Sequence, residues 1–226
     1  MEMTVIDYNG SGFWSVEEVL RRYAAYAQRY GIATPHERMS TAGLRKETDV
    51  ITLRPLRWPD DRASLLELDT SFTTDRVFQL QQTTHSAKLD EVVAEPPIHK
   101  SYSLADSVDL MPNHDWVTIV EHKHGIAGVA SMVIEAWNRR AVLHHLYVTS
   151  EFRRIGLGQA LVTAAIVAAR ERNARCVWIE TQTVNYGAVL FYHRMGFEWC
   201  GFDTALYDPR DADVNEVALF FSRDLR

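Results

Sequence analysis

The residues best suited to chemistry lie between Ala141 and Phe197. An apolar run, Ala141-Val142-Leu143-His144-His145-Leu146-Tyr147-Val148, is followed by the polar loop Thr149-Ser150-Glu151-Phe152 and then by Arg153-Arg154-Ile155-Gly156-Leu157-Gly158. A long apolar-periodic segment runs from Gln159 to about Asn173. This pattern predicts a strand, an anion-binding loop and a helix. Gly156 and Gly158 let the backbone turn and a ligand approach closely. The first N–H groups of a helix have no intrahelical partner. Together with the helix dipole they form a nest for phosphate or pyrophosphate. Arg153 and Arg154 add positive charge at its rim. A phosphorylated cofactor is the natural ligand.

Known phosphate loops narrow the reading. A Walker loop needs Gly-Lys-Ser/Thr after its glycines, and here Gly158 is followed by Gln159 and Ala160. A Rossmann loop needs G-x-G-x-x-G directly after its strand; Leu161 stands where the third glycine belongs, and a long basic loop separates Val148 from Gly156. What remains is Arg-x-x-Gly-x-Gly, carried by Arg153, Gly156 and Gly158. Further on, Asn185, Ala188, Tyr192, Gly196 and Phe197 spell Asn-x-x-Ala-x-x-x-Tyr-x-x-x-Gly-Phe. With both motifs in order, the chain resembles the GNAT superfamily of acetyl-CoA-dependent N-acetyltransferases. The resemblance implies an α/β (α+β) fold with a mixed, mostly antiparallel central sheet flanked by helices. It also implies acetyl-CoA as co-substrate, contacted by Leu146, Tyr147, Val148, Arg153, Arg154, Ile155, Gly156, Leu157, Gly158, Gln159, Asn185 and Tyr192.

Several stretches are similar to streptothricin acetyltransferases in particular. These are Ile179-Glu180-Thr181-Gln182-Thr183, Gly201-Phe202-Asp203, Leu206-Tyr207 and Asn215-Glu216-Val217-Ala218-Leu219, with Pro97-Ile98-His99-Lys100-Ser101-Tyr102 and Trp137-Asn138 fitting less sharply. The similarity implies a small cationic amine as acceptor, with streptothricin the named candidate and antibiotic resistance the role. One departure concerns the acids ahead of the central strand, which thin to Asp106, Asp109 and Asp115. An acetyltransferase of protein N-termini or lysines, and a non-enzymatic acetyl-CoA sensor, are the alternatives. A peptide acceptor needs an open groove, and a small cation needs a closed acidic pocket.

Amide formation needs a base for the incoming ammonium and an acid for the thiolate that leaves. Tyr192 is the candidate acid, since a phenol with a pKa of about 10 keeps its proton at neutral pH. An aromatic core pair with Phe191 is its structural alternative. Glu180 ends a predicted buried strand, where a carboxylate must be paired or face a cleft. It is the first choice for general base, acting through water, and its alternative is a hydrogen-bonded structural acid. His144 and His145 are rival bases, since His titrates near neutrality. Strand alternation lets only one of the two face the cleft. Asn185 is expected to cap the helix that follows it and to contact the cofactor. Leu146 to Val148 should offer backbone groups to the pantetheine arm. His122, His124, His144 and His145 lie on neighbouring predicted strands, but no metal-ligand spacing such as H-E-x-x-H occurs, so no metal is expected.

The rest of the chain must position these groups. Its 226 residues, 46% hydrophobic, suit one core domain plus an extension. A net charge of −6 argues against nucleic acid and suits a cationic acceptor. No apolar run reaches the roughly 18 residues of a membrane helix, and the N-terminus lacks a leader pattern, so a cytoplasmic enzyme is expected. Cys176 and Cys200 are expected as buried free thiols. Residues 1–47 read as an extension and linker. In it, Ser15-Val16-Glu17-Glu18 is a capping box opening an added N-terminal helix to about Tyr30. That helix would pack on the domain or on a second subunit, leaving a homodimer open. The catalytic domain, 48–226, is predicted to begin with a strand over Val50–Leu56, then a helix with Pro59 in its first turn. Residues 68–76 read as loop, 77–82 as a strand or helix extension, and 84–114 give no clear element. Hairpins are predicted over 116–137 and 198–222, the second with Gly201 as a bulge.

Overall fold

Alternation along the strands dictates the central layer. In Trp116–His122, Val117 and Ile119 pack into one core and Trp116 and Val120 into another, as the two-residue repeat of extended chain requires. The computed structural model describes residues 4–6, 13–15, 51–123, 125–208, 210 and 216–226. The expected helix over 16–30, the linker over 32–47 and His124 lie outside the described residues. Ser15, the expected N-cap, ends a short strand, and Thr4–Ile6, expected to be loose, forms another.

Among the described residues, nine strands make one mixed sheet. In chain order they are β1 (Thr4–Ile6), β2 (Phe13–Ser15), β3 (Thr52–Pro55), β6 (Trp116–His122), β7 (Gly125–Glu135), β8 (Arg140–Val148), β9 (Cys176–Gln182), β10 (Glu198–Asp203) and β11 (Ala218–Asp224). Between β3 and β6 in the chain, β4 (Phe72–Gln82) and β5 (Ala87–Lys100) form a separate antiparallel ribbon. The spatial order is β10-β11-β9-β8-β7-β6-β3-β1-β2. Pairing is parallel between β1 and β3 and between β8 and β9, and antiparallel elsewhere. This is the mixed, mostly antiparallel sheet expected from the sequence.

Each face has its own cover. On one lie α2 (Leu157–Glu171) and α3 (Tyr186–Arg194), whose Leu161, Ile166, Val189 and Tyr192 pack on Leu143, Ile179, Leu219 and Phe221. Small side chains at Ala160, Ala165 and Ala169 favour the helix and let α2 lie close to the strands. Asn173, at φ 57°, turns the chain out of this helix in the left-handed conformation usual at such ends. On the other face, α1 (Arg62–Leu66) and a 3₁₀ segment, Val108–Asn113, bury Leu65, Val108 and Met111 against Val117, Ile119 and Val129. Pro59 falls in the turn ahead of α1 rather than in its first turn. The N-cap is Asp61, whose carboxylate grips the buried Arg54 in two bonds of 2.7 Å.

The largest departure from the sequence reading is the ribbon. Residues 72–76 belong to β4 rather than a loop, and 87–100 form one 14-residue strand. The ribbon stands off the main sheet with most of its side chains at least partly exposed, so it carries no continuous apolar stripe. Pro96 and Pro97 fall between the Arg76–Val93 and Thr74–Ile98 pairs, where the register shifts and no ladder N–H is needed. Cys200 is a second correction. Cys176 is buried, but Cys200 sits at the bulge between Trp199 and Gly201 and is turned outward.

Candidate active site

A gap between two neighbouring strands frames the site. Parallel register between β8 and β9 runs from Arg140–Cys176 to Leu143–Ile179 and stops. Beyond it, β8 stays paired with β7 as far as Val148–Gly128, and β9 with β11 as far as Gln182–Ala218. Leu146–Val148 and Glu180–Gln182 therefore border a cleft. Strand-edge N–H and C=O groups need partners, and an extended ligand bearing amides supplies them. On the far side of β8, Gly128 allows β7 to pack closely, because a Cβ there would stand 2.6 Å from the Tyr147 carbonyl oxygen.

At the end of β8 lies the predicted anion loop. Gly156 is the N-cap of α2 at φ 97°, and Arg154 is also left-handed at φ 62°. Nothing lies within 4 Å of where a Cβ on Gly156 would be, so the mouth of the helix is open. The loop is braced from outside: Ser150 donates its hydroxyl to Asp69 at 2.6 Å, and Asp69 also accepts from Ser71. Arg153 folds back and donates from Nε to the Val148 carbonyl at 2.7 Å. Burial pulls its guanidinium below the ordinary value. Of the two arginines placed at the rim by the sequence, Arg154 is the exposed one. Leu157 is buried with its side chain in the core, Ile155 is exposed and Gln159 half-buried. Leu157 therefore brings only its backbone to the loop. First-turn N–H groups around an open, positively rimmed mouth fit a phosphate group.

Across the cleft stands Glu180. Burial raises its carboxyl above the usual range, and Glu216 adds to the rise, whereas the Tyr207 hydrogen bond and Lys100 act against it. Tyr207 donates its hydroxyl to Glu180 Oε1. Nearby, Tyr102 donates to Gln182 at 2.6 Å and Lys100 is ion-paired with Glu216. Burial and the Glu180 charge together push the Tyr147 phenol up to about 12. The same two influences, with Tyr147, raise Tyr192 well beyond its ordinary value. Glu180, Tyr147 and Tyr192 thus share one electrostatic environment.

Tyr192 is fixed by the way α3 ends. The Phe197 N–H bonds the Tyr192 carbonyl and the Gly196 N–H bonds the His193 carbonyl, both at 3.0 Å. Gly196 takes φ 77°. This is the helix-ending motif in which a left-handed glycine closes the last turn and a following apolar residue packs back. Phe197 and Tyr192 ring centroids lie 5.9 Å apart. The Tyr-x-x-x-Gly-Phe spacing therefore locks the ring. At the other end, Asn185 accepts from the Ala188 N–H at 3.2 Å as the cap, and it also approaches the Tyr102 phenol.

The histidines correct the sequence reading. Register jumps from Ser131–His145 to Met132–Leu143, leaving His144 as a bulge residue. A bulge breaks the alternation, so both rings lie beside His114, at 5.2 and 5.7 Å. His145 Nδ1 meets Ser131 Oγ at 2.6 Å and Nε2 meets Ser107 Oγ at 3.0 Å. Burial lowers the His145 imidazole to about 4. With both nitrogens engaged, His145 has none to offer an amine. His144, exposed where His145 is buried, is held below its ordinary value by partial desolvation of its ring, and the charge acting on it is Glu135, not Glu180.

Other residues of the site escaped the sequence reading. Tyr102, Tyr207, Lys100 and Glu216 sat in quoted stretches without a role, and Gly128 had no signal beyond being a glycine inside a strand pattern. The thin acids are elsewhere: Asp109 pairs with Arg62 at 2.7 Å, and Asp115 accepts from the Ile134 N–H. Glu180 supplies the negative charge at the cleft, with Glu216 beside it ion-paired to Lys100. From the ribbon, Phe78 donates its N–H to the Thr183 carbonyl at 2.9 Å and stacks on Tyr186 at 5.3 Å. Among the described residues no helix is long and apolar enough to cross a membrane.

The chain is similar to known proteins in sequence and in fold. The chain is 36% identical over 171 residues to the streptothricin acetyltransferase of Streptomyces lavendulae, covering 73% of this chain and 90% of that one. The crystal structure of nourseothricin acetyltransferase superposes with a TM-score of 0.69 at 36% identity, covering 78% of this chain and 99% of that one. A Bacillus anthracis structure in complex with acetyl coenzyme A superposes with a TM-score of 0.66 at 25% identity, covering 77% and 99%. The model of the acetyltransferase (GNAT) family matches residues 75–197, from the ribbon through both sequence motifs. The chain belongs to the GNAT family of acetyltransferases and is an acetyl-CoA-dependent N-acetyltransferase.

Proposed function

We propose that the enzyme acetylates a primary amine of a small cationic acceptor of the streptothricin type, with Glu180 as general base and Tyr192 as general acid. The observation that carries this is the desolvated Glu180 carboxylate at the mouth of the strand gap, in one electrostatic environment with Tyr192. Likeness to streptothricin and nourseothricin acetyltransferases supports the acceptor class. A small acceptor is favoured over a peptide by the ribbon, which closes on Thr183 and Tyr186 beside the gap. The Glu180 carboxylate, with Glu216 already paired to Lys100, favours a cation.

Bound acetyl-CoA supplies an acyl group already activated as a thioester. Leu146–Val148 and the first turn of α2 would hold it, through strand-edge and helix-start backbone groups. Tyr207 orients Glu180 by holding Oε1. The remaining oxygen takes a proton from the acceptor ammonium, directly or through water. Tyr192 keeps its proton at Oη across the working pH range and gives it to the leaving sulfur. The sign of the pH dependence follows from the raised Glu180 pKa: activity is full above that pKa and falls as the carboxylate protonates.

The test is acetyl transfer from acetyl-CoA to purified streptothricin, read by product mass, for wild type and Glu180→Gln. Wild type should add one acetyl group. Glu180→Gln should lose roughly 10²–10⁴-fold in kcat/KM, the usual worth of a positioned base, together with the acidic limb of the pH profile. No transfer to streptothricin, with transfer to peptide N-termini instead, would sink the acceptor assignment.

A further inference from the structure

Two acidic side chains and one lysine meet at the acceptor side of the gap, and the lysine has no assigned task. Lys100 ends β5, and Glu216 precedes β11. The Lys100 ammonium donates to both Glu216 oxygens. The Glu216 side chain is 2% exposed and that of Lys100 19%. Lys100 also stands 5.8 Å from the centre of the Tyr102 ring, which reaches Gln182 on the strand of Glu180. We infer that Lys100 is a positioning residue: by neutralising Glu216 it keeps Glu180 able to exist as the carboxylate that receives the acceptor's proton. This rests on the reading of Glu180 as the base.

The groups facing Glu180 support the inference one by one. Tyr147 comes from β8, Tyr192 from α3, Tyr207 from the loop after β10, and Tyr102 from the segment after β5. Gln182 lies on its own strand. All are uncharged near neutral pH, each phenol being raised above its ordinary value. Of the charges that reach Glu180, Glu216 is negative and Lys100 positive, and they act in opposite directions. Two carboxylates in one desolvated site oppose each other's ionisation. Without the cation paired to Glu216, the base would hold its proton at the pH where it must accept one.

The test compares pH profiles of kcat/KM, with streptothricin and acetyl-CoA, for wild type, Lys100→Met, Glu216→Gln, the double variant and Lys100→Arg. Lys100→Met should move the acidic limb up by about one pH unit, a roughly tenfold loss on that limb. Glu216→Gln should move it down. The double variant removes a neutral pair and should return close to wild type, and Lys100→Arg should leave the limb in place. A merely structural role would lower rates without moving the limb in opposite directions, and that result overturns the inference. Glu216→Gln and the double variant still give the sign should Lys100→Met fail to fold by circular dichroism. A readout without acceptor is the titration of ¹³C-carboxyl-labelled Glu180 in the acetyl-CoA-bound full chain, assigned with Glu180→Gln. Its midpoint should follow the same order across the variants, and an unmoved midpoint refutes the inference. A Glu180→Gln enzyme that keeps its acidic limb refutes instead the reading of Glu180 as base, so the two failures are distinguishable.

Discussion

Replacing Tyr192 by Phe removes one oxygen and leaves the ring. The ring is 6% exposed and packs on Phe191, Phe197 and Phe221 at centroid distances of 5.6, 5.9 and 6.2 Å. Those contacts survive the change. The helix end also survives, since it uses the Tyr192 carbonyl and not the phenol. Stability should therefore change by no more than about 1 kcal/mol. Catalysis should change far more. A positioned acid is worth roughly 10²–10⁴-fold, or about 2.7–5.4 kcal/mol at 1.36 kcal/mol per decade. Burial, Tyr147 and Glu180 hold this phenol above its ordinary pKa, so its proton is present at any working pH. The assay is thiol release at saturating acetyl-CoA, with cofactor affinity measured separately by calorimetry. The expected result is a kcat at least about a hundredfold lower, with cofactor affinity unchanged within about threefold, less than 1 kcal/mol. An aryl thioester donor, whose thiolate leaves without a proton, should restore most of the rate. A loss below about fivefold, far under the range for an acid, or an equal loss with the aryl donor, would refute the assignment.

Two further predictions concern the loop and the histidine cluster. Gly156→Ala places a side chain at φ 97°, costing about 1–2 kcal/mol. Because space around it is open, the cost should appear as roughly tenfold weaker acetyl-CoA binding by calorimetry; unchanged affinity would mean the loop does not hold the cofactor's phosphates. His145, lowered from 6.5 to about 4 in the folded chain, contributes stability that is complete above pH 6.5 and lost as pH falls toward 4. The difference amounts to about 3 kcal/mol. Denaturant melts from pH 7.5 to 4.5 should show a flatter decline for His145→Gln than for wild type, and parallel curves would contradict the linkage.

What could be read in the sequence follows from where the physics is local. The Arg-x-x-Gly-x-Gly loop is legible from its glycines and the Tyr-x-x-x-Gly-Phe motif from the family resemblance, and each depends on a few neighbouring residues and a left-handed glycine. Hairpins over β6–β7 and β10–β11 are legible for the same reason, since alternation and turn residues are nearest-neighbour signals. The ribbon is not, because its pairing with few buried positions produces no stripe. The orientation of His144 depended on a bulge set by how β7 meets β8, which no local pattern encodes. Lys100 and Glu216 are 116 residues apart and meet only through tertiary packing. Glu180 was legible as a costly acid in a buried strand, but the groups that tune it were not.

The brevity of the β8–β9 register has a bearing on how the molecule breathes. Four residue pairs, Arg140–Cys176 to Leu143–Ile179, form the seam between strands β1, β2, β3, β6, β7 and β8 and the C-terminal trio β9, β10 and β11. Neighbouring ladders are longer: β9 and β11 share seven pairs and β7 and β8 share eight. Cooperative units of a domain separate where contacts are few, so this seam, like the four-pair β3–β6 and two-pair β1–β3 ladders, is a place for sub-global opening. A ligand lying between the two edges acts as a stitch across it. Acetyl-CoA should then slow amide exchange along the seam-facing edges of both β8 and β9, including amides it never touches, and fuse two semi-independent folding units into one.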